Sequence, residues 1–320
     1  MSTRKITSDD ISSLTSLNSD EMELIYKMKK AITTKPTTRT LVNYLNIVKR
    51  IYKIEDVKFN PKDISYLYNT QNIIKLLNEP SRYKNPKDYY WSVIQVLKAF
   101  NDTKDIIEIY STEMGKFLKK SAKQRGENKK TEKEGKNWMD YDTVIDMFNK
   151  RKNTLNENDK LLMTLILTYP RRLADWYRMK VKTSSSKLNN INDNYLVTNK
   201  YRVPIKFIFN RQKTSQYEDV NKDIPKTLYK SIYDYLTIFE PKEGDLLFPN
   251  KSGAMYKAPD FSNKISNLFK DITGKRITNN LWRHIYITKF GSDKSTLNQK
   301  KALSGAMGHS IKTQMEYFKK

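Results

Sequence analysis

Both histidines of the chain lie in its last forty residues, one in Leu281-Trp282-Arg283-His284 and one in Met307-Gly308-His309-Ser310. Tyr317 follows His309 by eight residues. Arginine, histidine and a late tyrosine, in that order, are the side chains that phosphoryl transfer through a tyrosine nucleophile needs. A phenol ionises at a pH of about 10 in solution, so attack at neutral pH requires cations around the oxygen. Far upstream, Tyr169-Pro170-Arg171-Arg172-Leu173-Ala174-Asp175-Trp176 sets two adjacent arginines between apolar stretches rather than in a charged run. Asp175, three residues after Arg172, is placed to hold that guanidinium by a helical ion pair. An arginine held this way presents a rigid fork to a phosphate. Arg283 falls on a predicted helix whose Leu281, Ile285 and Thr288 make a buried face. His284 beside it reads as a hydrogen-bonded, partly buried core histidine.

The elements that must carry these residues belong to a strongly basic chain. Its 320 residues hold 60 Lys+Arg against 35 Asp+Glu, a formal charge of +25, with a pI of about 9.7. That imbalance points to a polyanionic partner, double-stranded DNA first among them. An anionic membrane surface fits less well, because no basic amphipathic anchor stands out. Cysteine is absent, which excludes disulfides and zinc fingers and fits an intracellular setting. No phosphate loop or dinucleotide fingerprint is present, so neither a metal nor a nucleotide cofactor is expected. Residues 1–18 are polar, without the apolar core of a signal peptide, and read as a loose tail. No apolar run is long enough to span a bilayer.

The length favours two domains. From Asp20 to about Gln124 the apolar period is helical, clearest where Leu41, Tyr44, Leu45, Val48 and Tyr52 share one face behind a Thr37 or Thr38 cap. This reads as a helical domain over 19–124. Residues 125–137, rich in lysine, read as a basic linker. From Trp138 to the end the pattern is mainly α with a small antiparallel β-sheet. Helices are predicted near Tyr141–Lys150, Asn158–Thr168, Pro225–Phe239, Pro259–Asp271, Thr278–Phe290 and Thr296–Met307. Strands are predicted at Tyr195–Thr198, Ile205–Phe209 and Lys222–Ile224.

The order Arg, Arg, His, Tyr resembles that of the tyrosine recombinases, the integrase family of phages, cryptons and large DNA viruses. The resemblance covers residues 138–320; the helical domain and linker match the family's DNA-binding core-binding domain in general layout. Arg172, with an acidic residue three positions on, matches the family's first arginine. Arg283 matches the second arginine, of the His-x-x-Arg box, whose first position is here Asn280. His309 matches the third-box His or Trp, and Tyr317 the nucleophile. Lys213, in Asn210-Arg211-Gln212-Lys213-Thr214 after an aromatic strand, matches the β-hairpin lysine, with Lys206 a rival. Asn280 can donate to a phosphate oxygen but cannot take a proton. The spacing from His309 to Tyr317, Pro-Arg-Arg and Arg-His look most like the integrases of cryptons and of eukaryotic DNA viruses or virophages. Few residues follow Tyr317, where many members exchange a C-terminal tail.

The resemblance implies a site-specific recombinase that cleaves and rejoins DNA through a 3′-phosphotyrosine. It implies work without metal or ATP, as a homotetramer on two duplexes, in the host cytoplasm or nucleus if the chain is viral. Arg172, Arg283 and His309 would surround the phosphate, and Lys213 would protonate the leaving 5′-oxygen. Two other readings share parts of the pattern. A type IB topoisomerase would use the same chemistry as a monomer, and a non-enzymatic DNA-packaging protein would explain the charge alone.

Overall fold

The computed structural model describes residues 17–79, 83, 85–210, 220–291, 295–308 and 310–319. The chain divides into two compact units, Met1–Gln124 and Arg125–Lys320. The described part of the first unit is helical: α1 Ser19–Ala31, α2 Thr38–Ile54, α3 Thr70–Leu77, α4 Pro86–Leu97 and α5 Lys104–Gly126, with a 3-10 turn at Ser65–Tyr68. Asn18 and Glu21 form a capping box at the start of α1, and Thr37 caps α2. The predicted stripe of α2 is where the burial lies, with Leu41, Leu45, Val48 and Tyr52 all out of solvent. The buried carboxylate of Glu21 is met by Lys49 across the α1–α2 contact.

The second unit opens with α6 Glu132–Asn137, inside the segment read as linker. Its cause is local: the Thr131 hydroxyl accepts from the Glu134 N–H, and the Glu134 carboxylate accepts from the Thr131 N–H at 2.8 Å. Then follow α7 Tyr141–Arg151, α8 Glu157–Thr168 and the single turn α9 Leu173–Trp176. The strands are β1 Met179–Thr183, β2 Asn194–Thr198, β3 Pro204–Phe209 and β4 Asn221–Asp223. After them come α10 Lys226–Phe239, α11 Ala258–Thr273, α12 Asn279–Phe290, α13 Leu297–Met307 and α14 Ile311–Tyr317. No described helix is long and apolar enough to cross a membrane.

The described residues are thus mainly helical with a four-stranded sheet, ordered β1-β2-β3-β4. The sheet is mixed, which corrects the expectation of an antiparallel one. β2–β3 and β3–β4 are antiparallel, but β1 runs parallel to β2, with Val181 opposite Leu196. The unpredicted strand is β1. Its Met-Lys-Val-Lys-Thr sequence reads as a charged surface segment, yet Lys182 is buried. Its ammonium lies 4.8 Å from the centroid of the Tyr195 ring and donates to the Leu188 carbonyl at 2.7 Å. The other edge of β1 is covered by the 244–247 segment, through Val181 N–H to Asp245 O at 2.9 Å and Leu247 N–H to Met179 O at 2.8 Å.

The core of this unit is built on aromatic rings. Trp176, Phe207 and Phe209 meet edge to face or tilted beneath the sheet. Trp282 stacks on Tyr141, packs against Phe269, and donates its indole N–H to the Ile166 carbonyl at 2.9 Å. One side chain therefore ties α12 to α7, α8 and α11. It fixes the rotation of α12, on which Arg283 is the next residue.

Candidate active site

Three backbone devices build the site. The first is the turn between α8 and α9. Arg172 is the N-cap of α9, with extended φ −68° and ψ 150°. The helical turn begins only at Leu173, so Arg172 and Asp175 do not stack as an i,i+3 pair. The expected Arg172–Asp175 ion pair is accordingly replaced by Arg171–Asp175, with Nε to Oδ2 at 2.9 Å. Arg171 is fully buried, lies 3.9 Å from the centroid of the Phe209 ring, and donates to the Ala306 carbonyl at 3.1 Å. Burial raises the Asp175 carboxyl against the pull of the Arg171 guanidinium.

The second device is the start of α12. Thr278 caps it by accepting from the Leu281 N–H at 3.1 Å. The Asn279 amide donates to the Arg171 carbonyl at 3.0 Å and fastens α12 to the arginine turn. The third is the end of α13, where Gly308 takes the left-handed conformation at φ +68°. The Gly308 carbonyl accepts from Arg172, 136 residues away. The Met307 carbonyl accepts from Arg283 Nη2 at 3.1 Å. Ser310 then caps α14 by accepting from the Thr313 N–H, and α14 ends on Tyr317.

These devices bring Arg283, Asn280, His284 and Tyr317 together. Arg283 Nη1 donates to the Tyr317 hydroxyl at 3.2 Å, and its guanidinium carbon lies 4.9 Å from the Tyr317 ring centroid. The Tyr317 hydroxyl donates to Asn280 Oδ1 at 3.1 Å. His284 stacks on the Tyr317 ring at 4.4 Å, with Nδ1 2.8 Å from the Tyr317 carbonyl and Nε2 3.3 Å from Asn280 Nδ2. Tyr317 is half-buried and Asn280 exposed, so the hydroxyl is reachable from solvent.

Charge in the site follows burial. Desolvation pushes Arg283 down to about 10, with Arg172 and Arg171 adding to the effect and Tyr317 and Asp175 opposing it. It remains a cation at neutral pH. Burial likewise holds His284 below the ordinary histidine value, despite the Tyr317 carbonyl and Glu134. Glu134 Oε1 is 3.6 Å from His284 Nε2, and Lys319 Nζ is 3.9 Å from its other oxygen. Burial raises the Glu134 carboxyl, but Thr131, Lys319 and His284 outweigh it and leave it below the usual carboxylate range.

Lys213 and His309 lie outside the described residues. The rival Lys206 is the half-buried third residue of β3, between Val197 and Asp223 in register. Sequence reasoning singled out Arg171 only as the neighbour of Arg172, without its pairing to Asp175, and missed Glu134. For Glu134 a signal was present, the Thr-x-x-Glu of a capping box. Among the described residues no group of three His, Cys, Asp or Glu side chains could hold a metal ion.

No family model matches the chain, and no curated protein does. Among solved structures a match is found to XerA recombinase, at 12% identity over 92% of each chain with a TM-score of 0.38.

Proposed function

We propose that this chain is a DNA strand-transfer enzyme of the tyrosine-recombinase type, with Tyr317 as nucleophile. The observation that carries the reading is the placement of the Tyr317 hydroxyl against a buried arginine, Arg283, in a site that also holds the half-buried Arg172. Two guanidiniums can neutralise the non-bridging oxygens of a phosphodiester in the role a divalent cation plays elsewhere. In this reading Tyr317 Oη bonds to phosphorus as the 5′-oxygen leaves. The phenolic proton passes to solvent, and Lys213 supplies a proton to the leaving oxygen. His309 completes the set around the phosphate. The 3′-phosphotyrosine conserves the bond energy, so a 5′-hydroxyl from a second strand reverses the step without ATP. Exchange between two duplexes calls for four copies of the chain, and the charge of +25 supplies phosphate contacts for both DNA arms.

A nicked suicide duplex, from which the cleaved end diffuses away, traps such an intermediate. The expected result is a covalent DNA adduct on the peptide holding Tyr317, absent from Tyr317→Phe. An adduct on another peptide, or one that persists in Tyr317→Phe, overturns the reading. Arg172→Ala and Arg283→Ala should each slow adduct formation about 100- to 1000-fold, the typical effect of removing one preorganised donor.

A further inference from the structure

We propose that Asn280 is a two-position relay that couples the protonation state of His284 to the hydrogen-bond polarity at the Tyr317 hydroxyl; the proposal rests on the strand-transfer reading. The three residues form a closed circuit. Tyr317 Oη donates to Asn280 Oδ1, Asn280 Nδ2 faces His284 Nε2, and His284 Nδ1 faces the carbonyl of Tyr317 itself. A carbonyl only accepts, so Nδ1 carries the proton. In a neutral imidazole Nε2 then accepts, and the amide N–H of Asn280 fills it. The amide oxygen is left to take the phenolic proton. Every bond in the circuit points one way, and together they hold Tyr317 as a donor.

Protonation of His284 reverses the circuit. A second N–H on Nε2 faces the Asn280 amino group, two donors against each other. Rotation of the amide by a half-turn removes the conflict. Oδ1 then accepts from Nε2, and Nδ2 donates to the Tyr317 oxygen. Asn280 is exposed, so the rotation needs no repacking. The Tyr317 oxygen now receives N–H groups from both Arg283 and Asn280, as suits an oxygen losing its proton while it bonds to phosphorus. No proton passes through the amide; His284 takes its proton from solvent.

The groups facing His284 set the balance. Glu134 on α6, 3.6 Å from Nε2, favours the cation. Lys319 beyond α14 and Arg283 on its own helix oppose it, as does burial. The resting site is therefore the closed circuit. A phosphate entering at Arg283 adds negative charge and tips His284 toward the cation, so the relay would open when DNA is bound.

The test uses the full chain labelled with 13Cζ tyrosine and 13Cε1 histidine, with Tyr317→Phe and His284→Gln assigning the two signals. As pH falls, the Tyr317 signal should step at the His284 midpoint. In Asn280→Ala, and in the near-isosteric Asn280→Asp whose carboxylate only accepts, His284 should still titrate but the Tyr317 step should shrink to the smaller part that the stacked imidazolium gives directly. No step in the wild type, or a step that keeps its full size in both substitutions, overturns the relay. In single turnover on saturating suicide duplex, adduct formation should speed up about three- to tenfold as pH falls through the same midpoint. That is the range carried by one net hydrogen bond of about 0.7–1.4 kcal/mol. Asn280→Asp should lose the acceleration. Coupled signals without any adduct sink the strand-transfer reading and keep the relay, whereas an adduct without coupling sinks the relay alone.

Discussion

Arg171 and Arg172 are neighbours of the same type, and the fold gives them different work. Arg171 is sealed against Phe209 and Asp175, whereas Arg172 is half-buried and reaches the Gly308 carbonyl. Arg171→Leu leaves a buried carboxylate unpaired and should cost roughly 3–5 kcal/mol in denaturant unfolding. Arg172→Ala removes one partly exposed bond and should cost about 1 kcal/mol while abolishing most adduct formation. Equal losses of stability in the two variants would refute this division. His284 makes a prediction in pH. Its folded value lies below the ordinary 6.5, so the unfolded chain binds the proton more readily. Its contribution to stability is complete above that ordinary value and is lost as pH falls through the folded value. Urea midpoints measured across this window should decline with acid, and His284→Gln should flatten that part of the curve.

Among the elements, the ends of helices matter more than their middles. α11 and α13 both stop at a glycine with positive φ, Gly274 at +75° and Gly308 at +68°. A Cβ on Gly274 meets nothing within 4 Å. Gly274→Ala should therefore cost only the left-handed backbone penalty, about 1–2 kcal/mol. A Cβ on Gly308 falls 2.8 Å from Arg171 Nη2, and Arg171 is pinned by Asp175. Gly308→Ala should add roughly 1–3 kcal/mol of overpacking. It should also slow adduct formation, because the same turn receives Arg172. Thermal melts of the two variants side by side check the difference, and equal shifts would count against the close approach. The short helix α6 shows the same economy. One capping carboxylate, Glu134, both starts the helix and faces His284.

For the whole molecule, net charge dominates any encounter with DNA. A protein that neutralises six to ten phosphates loses roughly 10³–10⁵ in affinity between about 50 and 200 mM salt. The full chain should behave this way in fluorescence anisotropy, and a flat salt dependence would remove DNA as the partner. The two units are each closed around their own apolar cluster, one of helices alone and one of helices on a mixed sheet.

Much of this architecture was legible in the linear pattern, because periodicity and capping are local. The α2 stripe with its threonine cap, the helix starts near Thr278 and Thr296, and three of the four described strands could be read from neighbouring residues. β1 could not, since two lysines hide a strand whose burial depends on Tyr195 and Leu188. The residue types of the proposed site stand in the sequence too, as Arg172, Asn280, Arg283 and Tyr317 in order along the chain. Their meeting was not. Arg283 reaches Tyr317 across 34 residues, and Arg172 reaches Gly308 across 136. Which arginine Asp175 holds turned on where α9 begins, and whether His284 merely fills the core turned on the path of α14 over its ring. Composition and local spacing set the chemistry available to this chain. The choice of partners belongs to packing, because a buried charge pairs with whatever the fold brings within reach before water is excluded.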